Sequence, residues 1–234
     1  MFAPHAKAPQ NAITLVFDLE GFSRFFNQPD VSDYLPAFLN TVFGAVETCI
    51  SGGSTYWDED DKLTALKLRA AQRKFMGDGA LYILLPPEGE SSFSKHTITA
   101  LCNRLWNLKN GFDEVLKKCA DDVPVFDLPP RIRFGIARGS VFELLPSSGE
   151  ASEYVGFCIN LASRLQKYCP TLDFIASARL GIDMASLSQY GYTRVVAKAI
   201  RGFPKEIVFV DKEELDEMTK DEKEKLFEII EGDG

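Results

Sequence analysis

Ile13-Thr14-Leu15-Val16-Phe17-Asp18-Leu19-Glu20-Gly21-Phe22-Ser23-Arg24-Phe25-Phe26 is the stretch from which the rest of the chain is read. Ile13, Leu15, Val16 and Phe17 form an apolar block of strand length with β-branched and aromatic content, which predicts a buried strand rather than a helical turn. A carboxylate at the end of such a strand, Asp18, is costly unless something pairs with it, and a cation is the simplest partner. Gly21 lets the backbone turn closely, leaving the amides of Glu20 to Ser23 free to face an anion before the next helix. This arrangement suits a metal-bound polyphosphate. It also suits an ordinary strand ending in a solvated aspartate.

Two further stretches bear on that choice. Between Arg73 and Leu85, Gly77-Asp78-Gly79 predicts a tight turn ahead of an apolar strand from Ala80 to Leu85. Asp78 by itself passes as a turn residue. Arg131 to Leu145 reads as strand, Gly/Arg turn and strand, followed by Glu153 to Arg164, where Gly156 precedes a helix. Asn160 and Arg164 stand one turn apart on one face of that helix.

In this order the stretches resemble the catalytic domain of the class III nucleotidyl cyclases. Val16-Phe17-Asp18-Leu19-Glu20-Gly21-Phe22-Ser23 is similar to the family's F-A-D-I-x-G-F-T, and Lys74-Phe75-Met76-Gly77-Asp78 to its K-x-x-G-D. Gly135-Ile136-Ala137-Arg138-Gly139 matches G-I-x-x-G, and Val155 to Arg164 matches W-G-x-x-V-N-x-A-x-R. Arg201-Gly202-Phe203-Pro204 is an altered K-G-K-G. The resemblance implies an α+β fold with a ferredoxin-like mixed or antiparallel sheet, helices packed on it, and a head-to-tail homodimer. It further implies closure of a nucleoside triphosphate to a 3′,5′-cyclic nucleotide with loss of pyrophosphate.

By the same resemblance, Asp18, Leu19 and Asp78 hold two divalent cations, Mn²⁺ or Mg²⁺, which suit an oxygen-only donor set better than zinc does. Glu20, Gly21, Phe22 and Ser23 bind phosphate, Asn160 orients the ribose, and Arg164 stabilises the transition state. The metal residues come from one subunit and the Asn/Arg helix from the other, giving composite sites. The family's second K-G-K-G lysine falls on Phe203, so Arg201, Lys198 or Lys205 must take its role, or it is lost. Lys74 and Glu153 occupy the base-reading positions, where Glu is one methylene longer than the usual Asp, and Tyr154, Phe157 and the segment around Tyr56 would narrow the pocket further. That pair is unlike the guanylate pattern and has hydrogen-bond options for adenine, uracil or cytosine. Small standalone cyclases with degenerate flanking motifs resemble the Pycsar pyrimidine cyclases of bacterial antiphage defence. This resemblance favours UTP, then CTP, with ATP as the main alternative, and a downstream cyclic-nucleotide-binding effector. An inactive cyclase-like binding or dimerisation module is the non-enzymatic reading, favoured by Phe203.

Composition agrees with a folded catalytic domain. With 234 residues, 45% apolar and 12% aromatic, the chain can fill one substantial core. A formal charge of −8 argues against coating a nucleic acid polymer. Five cysteines at irregular spacing, with no C-x-x-C, predict neither a disulfide frame nor a zinc site. Neither a signal peptide nor a membrane span is read, so a soluble cytoplasmic protein is expected. His5 lies in the expected loose leader and His96 in a polar segment, which gives histidine catalysis little support.

The expected boundaries are a flexible leader over 1–11, the cyclase domain over 12–211 and a charged C-terminal helix or tail over 212–234. Leu35, Phe38, Leu39, Val42, Phe43, Val46 and Ile50 predict a helix over 31–50, and the apolar spacing over 93–119 predicts one long amphipathic helix. Residues 54–72 are longer and more charged than the family's strand hairpin requires, and the acidic run Asp58 to Asp61 reads as a solvated loop.

Overall fold

The computed structural model describes residues 5–55, 62–124, 127–145, 151–182, 184–187 and 190–230. In chain order these form β1 (His5–Ala6), β2 (Gln10–Glu20), α1 (Phe22–Phe26), α2 (Val31–Ser51), β3 (Gly53–Ser54), β4 (Lys62–Leu63), β5 (Arg69–Phe75) and β6 (Gly79–Leu85). There follow α3 (Lys95–Asn110), α4 (Phe112–Asp122), β7 (Arg131–Leu145), β8 (Glu153–Val155), α5 (Phe157–Gln166) and β9 (Phe174–Ser177). A 3₁₀ turn at Ala178–Leu180 leads to α6 (Met184–Leu187), β10 (Tyr192–Ile200), β11 (Phe203–Asp211), α7 (Lys212–Glu217), α8 (Lys220–Leu226) and β12 (Phe227–Ile229).

The main sheet runs β12-β10-β11-β9-β7-β2-β6-β5, and β7 with β9 is its parallel pair. Strand β2 lies between β6 and β7, antiparallel to both. Its alternate residues enter two cores. Ile13, Leu15, Phe17 and Leu19 pack with α2, α3 and α4, whereas Ala12 and Val16 pack with Cys158, Leu161, Ala162 and Leu165 of α5. Burial on both faces explains why the strand reads as a continuous apolar run rather than an alternating one. The α+β expectation holds.

Helix α5 is seated on β7 at Gly135. A Cβ there would lie 2.3 Å from the Ala162 carbonyl oxygen and 2.4 Å from the Gln166 nitrogen. Only hydrogen fits. An ionic chain ties the site end of β7 to the far helices. Buried Lys109 pairs with Asp211 and Glu214 at 2.7 Å each, and Glu214 accepts the Asp173 amide at 2.8 Å. Arg131 then bridges Asp173 at 2.7 Å and Glu20 at 3.0 Å.

Several sequence expectations are corrected. The segment read as one long helix breaks at Gly111 into α3 and α4. Part of the expected loose leader is ordered, because His5–Ala6 pairs with Leu145 and Leu144 and β2 already begins at Gln10. The expected solvated C-terminal helix is instead α7, α8 and β12, and β12 pairs with β10 at the sheet edge. Buried Leu215, Met218 and Phe227 fasten it there, since those apolar side chains have a sheet to cover. Asp58 to Asp61 lie outside the described residues.

Two outcomes are expected. Gly135→Val should destabilise the fold by about 3 kcal/mol, the upper end for overpacking, because backbone and not a yielding side chain meets the new atoms. An unchanged urea midpoint would show that α5 is not seated on this glycine. The Asp173 carboxyl is pushed up to about 6 from an ordinary 3.8, first by burial and then by Glu214. Between those values the folded chain keeps a proton that the unfolded chain releases. This contribution to stability is therefore full below pH 3.8 and lost as pH rises through about 6. Asp173→Asn should flatten that part of the stability profile, measured as urea midpoints across the window.

Candidate active site

The site residues gather at three places. At the first, β2 and β6 end together: Asp18 stands opposite Gly79, and the Leu19 amide donates to the Asp78 carbonyl at 3.0 Å. Gly79 permits this approach, since a Cβ on it would lie 1.9 Å from the Phe17 carbonyl oxygen. Asp18 and Asp78 are thereby next to each other across two strands. Asp18 is 8% exposed, and both its carboxylate oxygens are engaged. Arg133, directly opposite on β7, donates from Nε to Oδ1 at 3.0 Å and from Nη2 to Oδ2 at 2.8 Å. Hydrogen bonding to Asp18 raises the Arg133 pKa further.

Gly21 follows with φ 79° and starts α1. The amides of Arg24 and Phe25 turn back to the Gly21 carbonyl at 3.0 and 3.1 Å. Those of Phe22 and Ser23 have no backbone acceptor among the described residues. A cleft of about 420 Å³ opens there, lined by Phe22, Ser23, Phe26, Met76 and Asp78. The Glu20 carboxylate pairs with Arg131 at 3.0 Å. Among the described residues no three His, Cys, Asp or Glu side chains form a ready metal cage. Two aspartates and a main-chain oxygen therefore leave most of a coordination shell to water and substrate oxygens. That fits Mg²⁺ or Mn²⁺, which keep water and phosphate ligands.

The second place is the outer part of the sheet. Lys74 and Gln72 are two apart on β5 and share a face. Gln72 donates from Nε2 to Glu153 Oε2 on β8 at 3.0 Å, bringing the two expected base-reading elements together. Sequence reading missed Gln72, whose significance depends on the contact that β8 makes with it. Tyr56 lies outside the described residues.

At the third place α5 carries exposed Asn160 and half-buried Arg164. The Arg164 guanidinium lies over the Phe203 ring, 5.6 Å from its centre, and a Cβ on Gly202 would come within 2.8 Å of Arg164 Nη1. Arg164 thus rests on the tip of the β10–β11 hairpin. The other cations of that hairpin are differently placed. Lys205 pairs with Glu228 of β12 at 2.8 and 2.9 Å, and Lys198 Nζ donates to the Glu224 carbonyl. Arg201 is exposed. Among the described residues no hydrogen bond or ion pair joins the Asp18/Asp78 end to Asn160 or Arg164.

No protein-family model and no curated protein matches the sequence. Solved structures do match. The adenylyl cyclase CyaB from P. aeruginosa has a TM-score of 0.60 at 16% identity, over 88% of this chain and 95% of that one. The guanylyl cyclase Cya2 gives 0.58 at 18% identity, over 88% and 93%. A bacterial light-regulated adenylyl cyclase gives 0.59 at 16% identity over 90% of this chain, which spans 53% of that longer protein. The fold of this chain is that of the adenylyl and guanylyl cyclase catalytic domains.

Proposed function

We propose that the chain is a nucleotidyl cyclase working as a head-to-tail homodimer, with a pyrimidine nucleoside triphosphate as substrate. The observation that carries this is the adjacency of Asp18 and Asp78 beside the Gly21 turn and its cleft. The reaction closes the ribose 3′-oxygen onto the α-phosphorus and breaks the bond to pyrophosphate, so negative charge builds on the phosphoryl oxygens and the leaving group. Asp18, Asp78 and the Leu19 carbonyl would hold two divalent cations. When bound, these neutralise that charge and acidify the attacking hydroxyl. The Phe22 and Ser23 amides would meet phosphate oxygens, Asn160 would orient the ribose, and Arg164 would offer a fork of donors to the transferring group.

Among the described residues no hydrogen bond or ion pair joins Asp18 to Arg164, whose guanidinium rests on Phe203 instead, and this favours assembly from two chains. Exposed apolar side chains stand at both halves: Phe26, Phe75 and Met76 at the metal end, Val155 and Phe157 beside α5. Burying each against a second copy would contribute about 1.5 to 3 kcal/mol before the cost of association.

The base reading rests on Lys74, Gln72 and Glu153. Together they offer donors and an acceptor to the three hydrogen-bonding positions on the pairing edge of uracil or cytosine, whereas adenine has two. UTP is the first choice and CTP the second, and the product would serve a cyclic-nucleotide-binding effector, as in antiphage defence. Phe203 favours one other reading, a binding module without turnover.

Incubation with ATP, GTP, CTP and UTP plus Mn²⁺ should yield one cyclic pyrimidine by mass, and Asp78→Ala should abolish it. Cyclic AMP alone would make the protein an adenylate cyclase. No product from a folded dimer would turn the reading to the binding module. Mixing inactive Asp78→Ala with inactive Arg164→Ala should restore activity to about a quarter of the unmutated level, since half the dimers then hold one intact site. No recovery on mixing would rule out composite sites.

A further inference from the structure

We infer that Arg133 is the resident counter-ion of Asp18, which an incoming divalent cation has to displace, so that it sets the concentration at which the metal end of the site loads. The inference rests on the reading of Asp18 as a metal ligand. Its geometry is fixed by register: Asp18 and Arg133 are directly opposed on β2 and β7, so the pair forms wherever those strands pair. The guanidinium fork takes both carboxylate oxygens, at 3.0 and 2.8 Å. The two side chains are 11% and 19% exposed, so water screens the pair little.

A divalent ion bonds a carboxylate oxygen at about 2.1 Å. With the fork still in place, ion and guanidinium would lie within about 5 Å of each other, both positive and poorly screened. Both cannot hold Asp18 at full strength. Arg131 does not take over the role, because its guanidinium is already shared between Glu20 and Asp173. Glu20 and Asp173 also lie close enough to Arg133 to favour its charge, and so offer a released guanidinium somewhere to go. Arg133 acts through Asp18, as a competitor for its carboxylate.

The test is Mn²⁺ binding to the full chain without nucleotide, followed by the electron paramagnetic resonance signal of free Mn²⁺. Arg133→Met should bind about tenfold tighter, by removal of the competing charge. Arg133→Lys, which keeps the charge but not the fork, should fall between it and the unmutated protein. Circular dichroism confirms the fold of each variant, and the lysine variant keeps the test decisive where the methionine variant fails to fold. Binding that is unchanged or weaker in a folded Arg133 variant would overturn the proposal, since an arginine that merely presents Asp18 could only lose affinity when removed. Asp18→Asn separates the two layers of the argument. If it leaves Mn²⁺ binding intact, the metal reading itself falls and takes this one with it. If it abolishes binding while Arg133→Met gains nothing, this proposal alone fails.

Discussion

A carboxylate at the end of a strand buried on both faces is the constraint on which the rest of the site depends. Asp18 shares its face of β2 with Ala12, Thr14 and Val16, under α5. Of these, Thr14 meets its hydrogen-bonding need at Cys158 Sγ, 3.5 Å away. Asp18 needs a charge, and an unpaired one at that depth would destabilise the fold strongly. Strand β7 supplies it from the opposite position. A slip of β2 by one residue against β7 would send Asp18 into the other core and away from Arg133, so register and electrostatics enforce each other. The same alternation sets Glu20 opposite Arg131, making a two-rung ladder of ion pairs at the mouth of the site.

What could be read in the sequence follows from which interactions are local. The apolar run Ile13 to Phe17, the Gly77-Asp78-Gly79 turn and the Asn160/Arg164 spacing each carry their meaning within a few residues, and each stands where the sequence placed it. Arg131 and Arg133 were legible only as members of a strand, because a strand does not say which neighbour its faces will meet. Their partners Glu20 and Asp18 lie more than a hundred residues away in sequence, joined by register alone. Gln72 was hidden likewise: a polar residue two positions from Lys74 gains significance only when β8 brings Glu153 to it. The C-terminal stretch misled for a different reason. Its Glu and Lys content describes a solvated surface, while the few apolar residues that fasten it, Leu215, Met218 and Phe227, are too sparse to announce a sheet edge.

Within one chain, the three groups of site residues are held by different parts of the scaffold. The aspartates belong to the β2–β6 register, Lys74 and Glu153 to the outer strands, and Asn160 and Arg164 to a helix set on Gly135. Each is rigid on its own account. A helix seated where only hydrogen fits has little freedom to slide toward the metal end, because interiors packed at native density resist displacement. If the site is composite as proposed, completion by a second copy would ask only for rigid docking and would leave α5 on its seat at Gly135. The exposed aromatic and aliphatic side chains at both halves are consistent with that docking.

Phe203 then takes on a meaning that the altered motif alone did not give it. A lysine at this position, as the resembled family has, would stand beside the Arg164 guanidinium, and the two cations would repel unless an anion lay between them. A phenyl ring removes that repulsion and offers a face on which a planar guanidinium rests, worth about 0.5 to 1 kcal/mol where water has access. The arginine is thereby held in place before any substrate arrives, which lowers the ordering entropy that a long side chain otherwise loses on binding. The cost falls on the phosphate end. Lys205 and Lys198 are both engaged by the C-terminal segment, through Glu228 and the Glu224 carbonyl, so Arg201 is the cation of this hairpin with no such partner among the described residues. On the proposed reading, the substitution would exchange a charge aimed at substrate for a preformed arginine. The strand β12 that occupies the neighbouring lysines belongs to the same trade, because it steadies the edge strand from which the Phe203 hairpin projects.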